Sequence, residues 1–318
     1  MTELKASVVI ATYNGEKYIK EQANTILEQT RLPDEVLISD DCSKDHTLGI
    51  LTNYIEKNNL SGAWKIHINE KNKGYAKNFL DAALLAEGDI VFFCDQDDLW
   101  SADRIEKMAA IMETHSDINL LCSNLEPFYY ERDTRKWSKN ELKAMTNDGS
   151  LERPMFDASN FHLKRSGCTM CIRKNFLKEI IPFWKERWAH DDFVWKMAVA
   201  SDSCAVIQYC SMKRRMHSNN ATVIRERTRE GRMHQLDDTN MQYESLKKYI
   251  KKVDGNQEKI SIVDKNIDSI KIRRHVVGKR HIWEWPILYF KYHDCYPRIK
   301  GLYLDLYFSV FKKYKGAN

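Results

Sequence analysis

The chain has 318 residues, of which 43% are hydrophobic and 30% are charged, and its net charge is +5. This composition is that of a globular protein with a large core, which excludes a disordered chain. No stretch approaches about 18 consecutive apolar residues, so we expect no membrane-spanning helix. The N-terminus has no signal-peptide pattern, and several of the eight cysteines lie within apolar runs, as is typical of reduced, buried thiols. We therefore expect a cytoplasmic protein.

The first half of the chain alternates between short apolar runs, which predict strands, and amphipathic segments, which predict helices. The predicted strands are Ser7–Ala11, Glu35–Ser39, Lys65–Ile68, Ile90–Cys94 and Asn119–Cys122. The predicted helices are Glu16–Gln29, Asp45–Tyr54, Tyr75–Ala86 and Ser101–His115. Such alternation is typical of right-handed βαβ units, so we predict an α/β fold with a mainly parallel sheet flanked by helices.

The second half is less regular. A polar segment, Leu125–Asn160, is interpreted as a mobile loop or as a cover over the substrate. It precedes predicted strands at Gly167–Ile172 and Ala205–Tyr209, which are separated by a predicted helix at Asp191–Ala200. Helical patterns return from Arg225 onward. We divide the chain into a catalytic domain of residues 1–222 and a mainly helical, basic and aromatic extension of residues 223–318.

Polar motifs follow three of the predicted strands. Thr12-Tyr13-Asn14-Gly15 follows the first strand, Asp40 to Asp45 follows the second, and Asp95 to Asp98 follows the fourth. Each motif alone is also typical of a turn or a helix cap. Ligands of parallel sheets bind beyond the carboxyl ends of the strands, so three motifs at that edge favour a binding site.

The third motif places Asp95, Asp97 and Asp98 within four residues, directly after an apolar run. Clustered carboxylates repel one another unless a cation or hydrogen-bond donors stabilise them. Oxygen-rich clusters suit hard divalent ions such as Mg²⁺ and Mn²⁺. The alternative is an acidic N-terminus of the following helix, where aspartates are also favoured.

The ordered series of motifs resembles glycosyltransferase family 2, a family of inverting enzymes with the GT-A fold. The form of the acidic motif is similar to that of rhamnosyltransferase-like and polysaccharide-building members. The resemblance covers about Ser7 to Asn220 and rests on six segments: Val8–Asn14, Ile38–Thr47, Asn72–Gly74, Asp95–Trp100, His190–Asp191 and His217–Asn220. Two positions depart from the family pattern, since His190 replaces the usual Glu and Cys42 replaces the usual Gly.

The resemblance implies a role for each matching residue. The nucleotide-sugar site would comprise Thr12, Tyr13, Asn14, Asp40, Asp41, Gly74, Asn78, Asp95 and Gln96. A divalent Mn²⁺ or Mg²⁺ would be held by Asp95, Asp97, Asp98 and His217. The general base would be Asp191, with Asp192 as the alternative; both are also placed to cap the helix that follows.

The chemistry of these groups defines the expected reaction. The carboxylate of Asp40 can accept a hydrogen bond from N3–H of uracil or thymine, which predicts a UDP- or dTDP-sugar donor. A metal ion stabilises the leaving diphosphate, and a single carboxylate base predicts inversion at the anomeric carbon. The expected acceptor is a hydroxyl of a glycan or lipid-linked glycan in surface polysaccharide biosynthesis. The alternatives are a nucleotidyltransferase that makes the nucleotide sugar and a non-catalytic nucleotide- or glycan-binding protein.

The tail holds the surplus of positive charge. Residues 264–318 contain 12 Lys and Arg but only 5 Asp and Glu, interleaved with many aromatics. This mixture predicts peripheral contact with the inner face of an anionic membrane. The alternative is that the aromatics pack on the catalytic domain or on a second subunit. No nucleic-acid-binding module is recognisable, so we expect no nucleic-acid partner.

Overall fold

The computed structural model describes residues 3–129, 145–217 and 228–312. Its centre is a sheet of nine strands in the spatial order β3-β2-β1-β4-β8-β6-β9-β5, with β7 paired to β9. The strands are β1 (Ala6–Thr12), β2 (Glu35–Asp40), β3 (Trp64–Ile68), β4 (Ile90–Asp95), β5 (Leu99–Trp100), β6 (Leu120–Tyr129), β7 (Leu151–Glu152), β8 (Met170–Arg173) and β9 (Cys204–Met216).

Helices cover both faces of this sheet. Within the described residues they are α1 (Ile19–Leu27), α2 (Thr47–Lys57), α3 (Tyr75–Leu85), α4 (Arg104–Thr114), α5 (Lys174–Ile180), α6 (His190–Ala200), α7 (Arg229–Val253), α8 (Gln257–Gly278), α9 (Trp285–Lys291) and α10 (Lys300–Val310). Short 3₁₀ turns occupy Gly167–Thr169, Ile181–Phe183, Ile282–Glu284 and His293–Cys295. An α/β sheet flanked by helices, with a helical C-terminal part, is therefore confirmed.

The apolar run of β1 shows why the core forms on both faces of the sheet. Val8 and Ile10 belong to one buried cluster, whereas Val9 between them belongs to the other. Successive side chains of a strand point to opposite faces, so a strand covered on both sides must be apolar throughout. The helices supply matching faces; in α1, Ile19, Ala23 and Ile26 are buried at helical spacing.

The register of the parallel strands aligns the predicted motifs. β1 pairs in parallel with β2 and β4, so that Thr12 lies opposite Asp40 and Ala11 lies opposite Asp95. These three polar positions therefore end their strands side by side. The expectation that the motifs meet at one edge of the sheet is met for these segments.

The other half of the sheet is mixed rather than mainly parallel. β8 is antiparallel to both β4 and β6, whereas β6 and β9 are parallel. β6 also continues to Tyr129, so the segment predicted as a loop from Leu125 begins as a strand. β9 extends to Met216, beyond the predicted end at Tyr209, because its second half still pairs with β5 and β6. This extension brings the segment before His217 to the motif edge.

The C-terminal helices do not form a detached unit. Buried residues of α7 and α8, such as Leu246, Tyr249 and Ile267, belong to the same cluster as Val9 of β1. Helices α9 and α10 pack on a smaller cluster of their own, which contains Leu288 and other buried residues. The boundary predicted at 222/223 lies outside the described residues. Among the described residues, no helix combines the length and hydrophobicity needed to cross a bilayer.

Candidate functional site

The loop after β1 is joined to the acidic segment after β4. The backbone N–H of Tyr13 donates to Oε1 of Gln96 at 2.9 Å, and Nε2 of Gln96 donates to the carbonyl of Tyr13 at 3.1 Å. Gly15 leaves room for this amide, because a Cβ at that position would lie 2.3 Å from Oε1 of Gln96. Thr12, Tyr13 and Gln96 thus lie together as predicted from the sequence.

Asp40 lies beneath this loop and is fully buried. Its carboxylate accepts hydrogen bonds from Oγ1 of Thr12 at 2.8 Å and from the N–H and hydroxyl of Ser43 at 2.8 and 2.6 Å. The Ser43 hydroxyl also accepts from the N–H of Asn14 at 2.9 Å. In this conformation Asp40 organises the loops that follow β1 and β2.

Asp41 organises a third loop. Its carboxylate accepts from the backbone N–H groups of Lys73 and Gly74, each at 2.8 Å, and from Nδ2 of Asn69 at 3.0 Å. Gly74 has a φ of +77°, which glycine adopts readily, and helix α3 starts at the next residue. Asp41 therefore positions the N-terminus of α3.

Asn78, predicted to contact the nucleotide sugar, lies between β2 and α3. It is buried in α3, and its side-chain amide bonds to Ser39 on β2, donating to the carbonyl and accepting from the hydroxyl. Its Oδ1 also accepts from Asn69 at 2.8 Å. The amide is thus engaged by protein groups, and Asn78 holds β2 and α3 together in this structure.

The acidic cluster follows β4. Oxygen atoms of Asp95 and Asp98 and the sulfur of Cys168 lie within 4.8 Å of one another. Burial, together with the charge of Asp97, raises the pKa of Asp95 to about 6. Burial and the charges of Asp97 and Asp95 likewise raise the pKa of Asp98 well above its ordinary value.

The two carboxylate oxygens of Asp98 differ in their hydrogen bonding. Oδ1 accepts from the N–H of Arg215 at 3.0 Å. Oδ2 is buried and has no hydrogen-bond partner within the described residues. A buried carboxylate oxygen without a donor is costly, whereas a divalent cation satisfies it. This orphaned oxygen, in a set of carboxylates with raised pKa values, fits a hard divalent ion.

Asp97 and His217 form a close pair. Nε2 of His217 lies 2.6 Å from Oδ2 of Asp97, and the ring of Tyr18 lies 4.9 Å from the imidazole. Asp97 contributes to the raised pKa values of Asp95 and Asp98 and so lies near them, whereas His217 contacts Asp97 and is not part of the group formed by Asp95, Asp98 and Cys168. Residues 218–220 of the predicted H-x-x-N motif lie outside the described residues.

Arg214 is a site residue that sequence reasoning missed. Its guanidinium donates to the hydroxyl of Ser166 at 2.9 Å. Burial opposes its charge, but the neighbouring Cys168, Asp95 and Asp98 raise its pKa overall. The positive charge of Arg214 also lowers the pKa of Asp95, which partly offsets the rise caused by burial and by the charge of Asp97. The predicted strand ended at Tyr209, so Arg214 was not placed on the strand that brings it to the site.

Two neighbouring aspartates at the start of α6 face different surroundings. Asp192 points inward, where it accepts from Nε1 of Trp188 at 2.8 Å and pairs with the buried ammonium of Lys196. Asp191 lies near the acidic cluster. Its negative charge therefore contributes to the raised pKa values of Asp95 and Tyr75. Burial is the larger cause for Tyr75, whose pKa is about 12.

His190, at the position where the family usually has Glu, lies in an aromatic pocket. Its ring is 4.4 Å from that of Phe79 and 5.2 Å from that of Phe93. Burial lowers its pKa, and neither ring nitrogen has a hydrogen-bond partner among the described residues. Gly167 packs on it closely, since a Cβ there would lie 2.4 Å from Nε2. His190 is therefore a neutral packing group next to Asp191.

Comparison with known proteins identifies the family. Residues 7–180 match the model of glycosyl transferase family 2. The dTDP-rhamnosyl transferase RfbG of Shigella flexneri is 32% identical over 225 residues, which cover 66% of this chain and 72% of RfbG. The chain belongs to glycosyltransferase family 2. It is therefore a glycosyltransferase, as the motif series implied.

Other relatives agree with this assignment over part of their length. The poly(ribitol-phosphate) beta-N-acetylglucosaminyltransferase TarS of Staphylococcus aureus is 38% identical over 121 residues, but the match spans only 37% of this chain and 21% of TarS. The structure of TarS residues 1–349 with UDP-GlcNAc superposes with a TM-score of 0.63 at 20% identity, covering 96% of this chain and 87% of that chain. A Pyrobaculum calidifontis mannosyltransferase with GDP-Man and Mn²⁺ gives 0.52 at 13% identity, with the same coverages. These structures establish the GT-A fold.

Proposed function

We propose that this glycosyltransferase transfers a sugar from a UDP- or dTDP-sugar to a hydroxyl of a glycan or lipid-linked acceptor, with inversion, during surface polysaccharide biosynthesis at the cytoplasmic face of the membrane. The observation that carries the proposal is the group of Asp95, Asp97 and Asp98 at the end of β4, beside the loop after β1, with Asp191 facing them. RfbG is named a dTDP-rhamnosyl transferase, and the TarS structure contains UDP-GlcNAc. Both relatives support a UDP- or dTDP-sugar as the donor.

The donor diphosphate is proposed to bind at the acidic cluster with Mn²⁺ or Mg²⁺. Asp95, Asp97, Asp98 and His217 would hold the ion, whose charge stabilises the leaving diphosphate when it is bound. Arg214 lies beside the same carboxylates and contributes a permanent positive charge.

The pyrimidine base is proposed to bind at the loops held by Asp40. Among the described residues, Oδ2 of Asp40 accepts a hydrogen bond from the N–H of Ser43 and keeps acceptor capacity for the N3–H of uracil or thymine. Because Asp40 is buried, this contact needs the Ser43 segment to move when the donor enters. Tyr13 is about half exposed and is placed to pack on the base.

Asp191 is proposed as the general base. Asp192 is committed to Lys196 and Trp188, whereas Asp191 accepts only the N–H of Asp192 among the described contacts of its carboxylate. The acceptor oxygen forms a bond to the anomeric carbon while the bond from that carbon to the diphosphate oxygen breaks. The hydroxyl proton passes to Asp191, and the nucleoside diphosphate leaves with the bonding electron pair. Attack opposite the leaving group inverts the anomeric centre.

A binding screen tests the donor class first. The thermal stability of the protein is measured with UDP, dTDP, GDP and their sugars, with and without Mn²⁺, because a ligand that binds the native state raises the melting temperature. We expect stabilisation by uracil or thymine diphosphates that increases with Mn²⁺. Stabilisation by guanine nucleotides alone would contradict the proposed base contact. Release of pyrophosphate from a nucleoside triphosphate and a sugar phosphate would instead identify a nucleotidyltransferase.

A further inference from the structure

The C-terminal helices expose an unusual amount of apolar surface. Trp283 is 71% exposed and Phe290 is 78% exposed, although both are large aromatic residues. They belong to a set of exposed large apolar side chains within residues 282–311, here called the aromatic surface: Ile282, Trp283, Ile287, Tyr289, Phe290, Ile299, Tyr303, Val310 and Phe311. Exposed apolar groups at this density mark an interaction surface, whereas isolated ones need no explanation.

These exposed residues are not the inward face of the helices. Leu288, Tyr292 and Leu302 from the same segment are buried and form a cluster with Val276 of α8. Trp285 links α9 to α10, because its ring lies 5.9 Å from that of Tyr303 and its Nε1 donates to the carbonyl of Leu302 at 3.0 Å. Helices α9 and α10 therefore have a satisfied core and a second apolar face directed outward.

The acidic groups of this segment each have a partner within the protein. Glu284 lies 3.1 Å from His275 and from His281, and Asp294 pairs with Lys265 of α8. Asp305 is fully buried, where it accepts from Arg232, Arg273 and Tyr296. The carboxylates of residues 282–312 are thus engaged by partners inside the extension.

The basic groups are distributed differently. Lys279, Lys291 and Lys300 are exposed and form no ion pair within the described residues. Arg280 and Lys312, which also belong to the C-terminal part of the chain, are exposed and form no ion pair within the described residues. The aromatic surface is therefore accompanied by uncompensated positive charge.

We propose that the aromatic surface docks on an anionic lipid bilayer, with Trp283 and Phe290 inserted at the interface and the lysines near the headgroups. Aromatic side chains favour the membrane–water interface, and basic side chains are attracted to anionic lipids. A second copy of this chain fits less well, because a two-fold contact would place the same positive groups against each other. This inference goes beyond sugar transfer and does not depend on it.

Sedimentation with lipid vesicles tests the inference on the full chain. One set of vesicles contains phosphatidylcholine alone, and the other contains phosphatidylcholine with phosphatidylglycerol. We expect binding to the anionic vesicles that weakens as salt rises. The double variant Trp283→Ser with Phe290→Ser should reduce the bound fraction by about tenfold or more, since it removes both inserted rings. The double variant Lys291→Gln with Lys300→Gln should weaken binding and its dependence on salt.

Controls separate this result from misfolding and from the proposed reaction. Met155→Ser removes a side chain that is 73% exposed but outside the extension, so its vesicle binding should equal that of the unmodified protein. Each variant should keep its melting temperature and its UDP or dTDP binding. Three results would overturn the inference: no binding to anionic vesicles, undiminished binding by the Trp283/Phe290 variant, or a solution dimer that this variant dissociates.

Discussion

The side-chain amide of Gln96 forms two hydrogen bonds with the backbone of Tyr13, and so fixes the loop after β1 against the acidic segment after β4. One side chain thereby links the proposed base-binding loop to the proposed metal-binding cluster. The distance between base and diphosphate is a fixed property of a nucleotide, so a donor site needs these two parts at a constant separation. Gln96 supplies that constraint from the protein side.

Replacing Gly15 with Ala should weaken donor binding while leaving the fold intact. The new Cβ would meet Oε1 of Gln96, and the flexible side chain can swing away only by giving up its bonds to Tyr13. The two lost bonds each stabilise the loop by about 1 kcal/mol, so the loop is no longer held in one position before the donor binds and nucleotide affinity should fall. Titration calorimetry with UDP or dTDP measures it. Gly62→Ala, where nothing lies within 4 Å of the added carbon, is the matched control and should bind normally.

Replacing Asp191 with Asn should abolish turnover but preserve donor binding. Loss of a general base lowers the rate by about 10²–10⁴, whereas the protein contacts of the fold are unchanged. Transfer assays at saturating donor, combined with nucleotide titrations, separate these two quantities. Normal turnover by this variant would exclude Asp191 as the base.

Asp192→Asn should behave in the opposite way. Its carboxylate pairs with Lys196, whose side chain is only 3% exposed, so its removal leaves a buried ammonium without its counter-ion. We expect the free energy of unfolding to fall by about 2–3 kcal/mol, with turnover retained in the folded fraction. Denaturant unfolding and specific activity measure the two effects. A stable but inactive Asp192→Asn protein would reverse the assignment of the base.

Mn²⁺ should stabilise the protein more strongly as pH rises through about 6. The pKa of Asp95 is raised from 3.8 to about 6, so the native state holds this proton more tightly than the unfolded chain. Without metal, this group stabilises the native state at low pH and loses that contribution as pH rises from about 4 to 6. Metal binding needs the deprotonated carboxylate, so its stabilisation grows over the same window. Melting temperatures with and without Mn²⁺ from about pH 5 to pH 7.5 test this; a difference independent of pH would contradict it.

Arg214→Gln should move that pH dependence upward. The guanidinium lowers the pKa of Asp95, so its loss should raise the midpoint of Mn²⁺-dependent stabilisation by about one pH unit. Lys213→Gln is the control, because this neighbouring side chain on β9 is exposed and lies on the opposite face. An unchanged midpoint in Arg214→Gln would show that the arginine does not act on the cluster.

The predicted strands β1, β2 and β4 were close to the observed ones because each is a short apolar run buried on both faces. Their polar ends could therefore be predicted to meet. Strands were predicted at Gly167–Ile172 and Ala205–Tyr209, but neither the antiparallel pairing of β8 nor the extension of β9 to Met216 was predicted, since pairing between distant segments depends on tertiary contacts and not on local periodicity. Arg214 was missed for this reason, because its place in the site follows from the length of β9.

Individual roles within a correctly predicted group were also hidden. Asp191 and Asp192 are adjacent and chemically identical, and only the position of Lys196 one turn along α6 separates them. That i, i+4 relationship was present in the sequence and would have marked Asp192 as the residue of an ion pair. The burial of Asn78 between β2 and α3, in contrast, follows only from the packing of the two elements.

Helices α7 and α8 complete the hydrophobic cluster that begins at β1. A shortened protein that stopped after β9 would present the partners of Leu246 and Tyr249 to water, and we expect it to aggregate. The sheet and helices α7 and α8 consequently belong to one cooperative folding unit. The catalytic sheet therefore cannot keep its core dry without the helices that follow it in the chain.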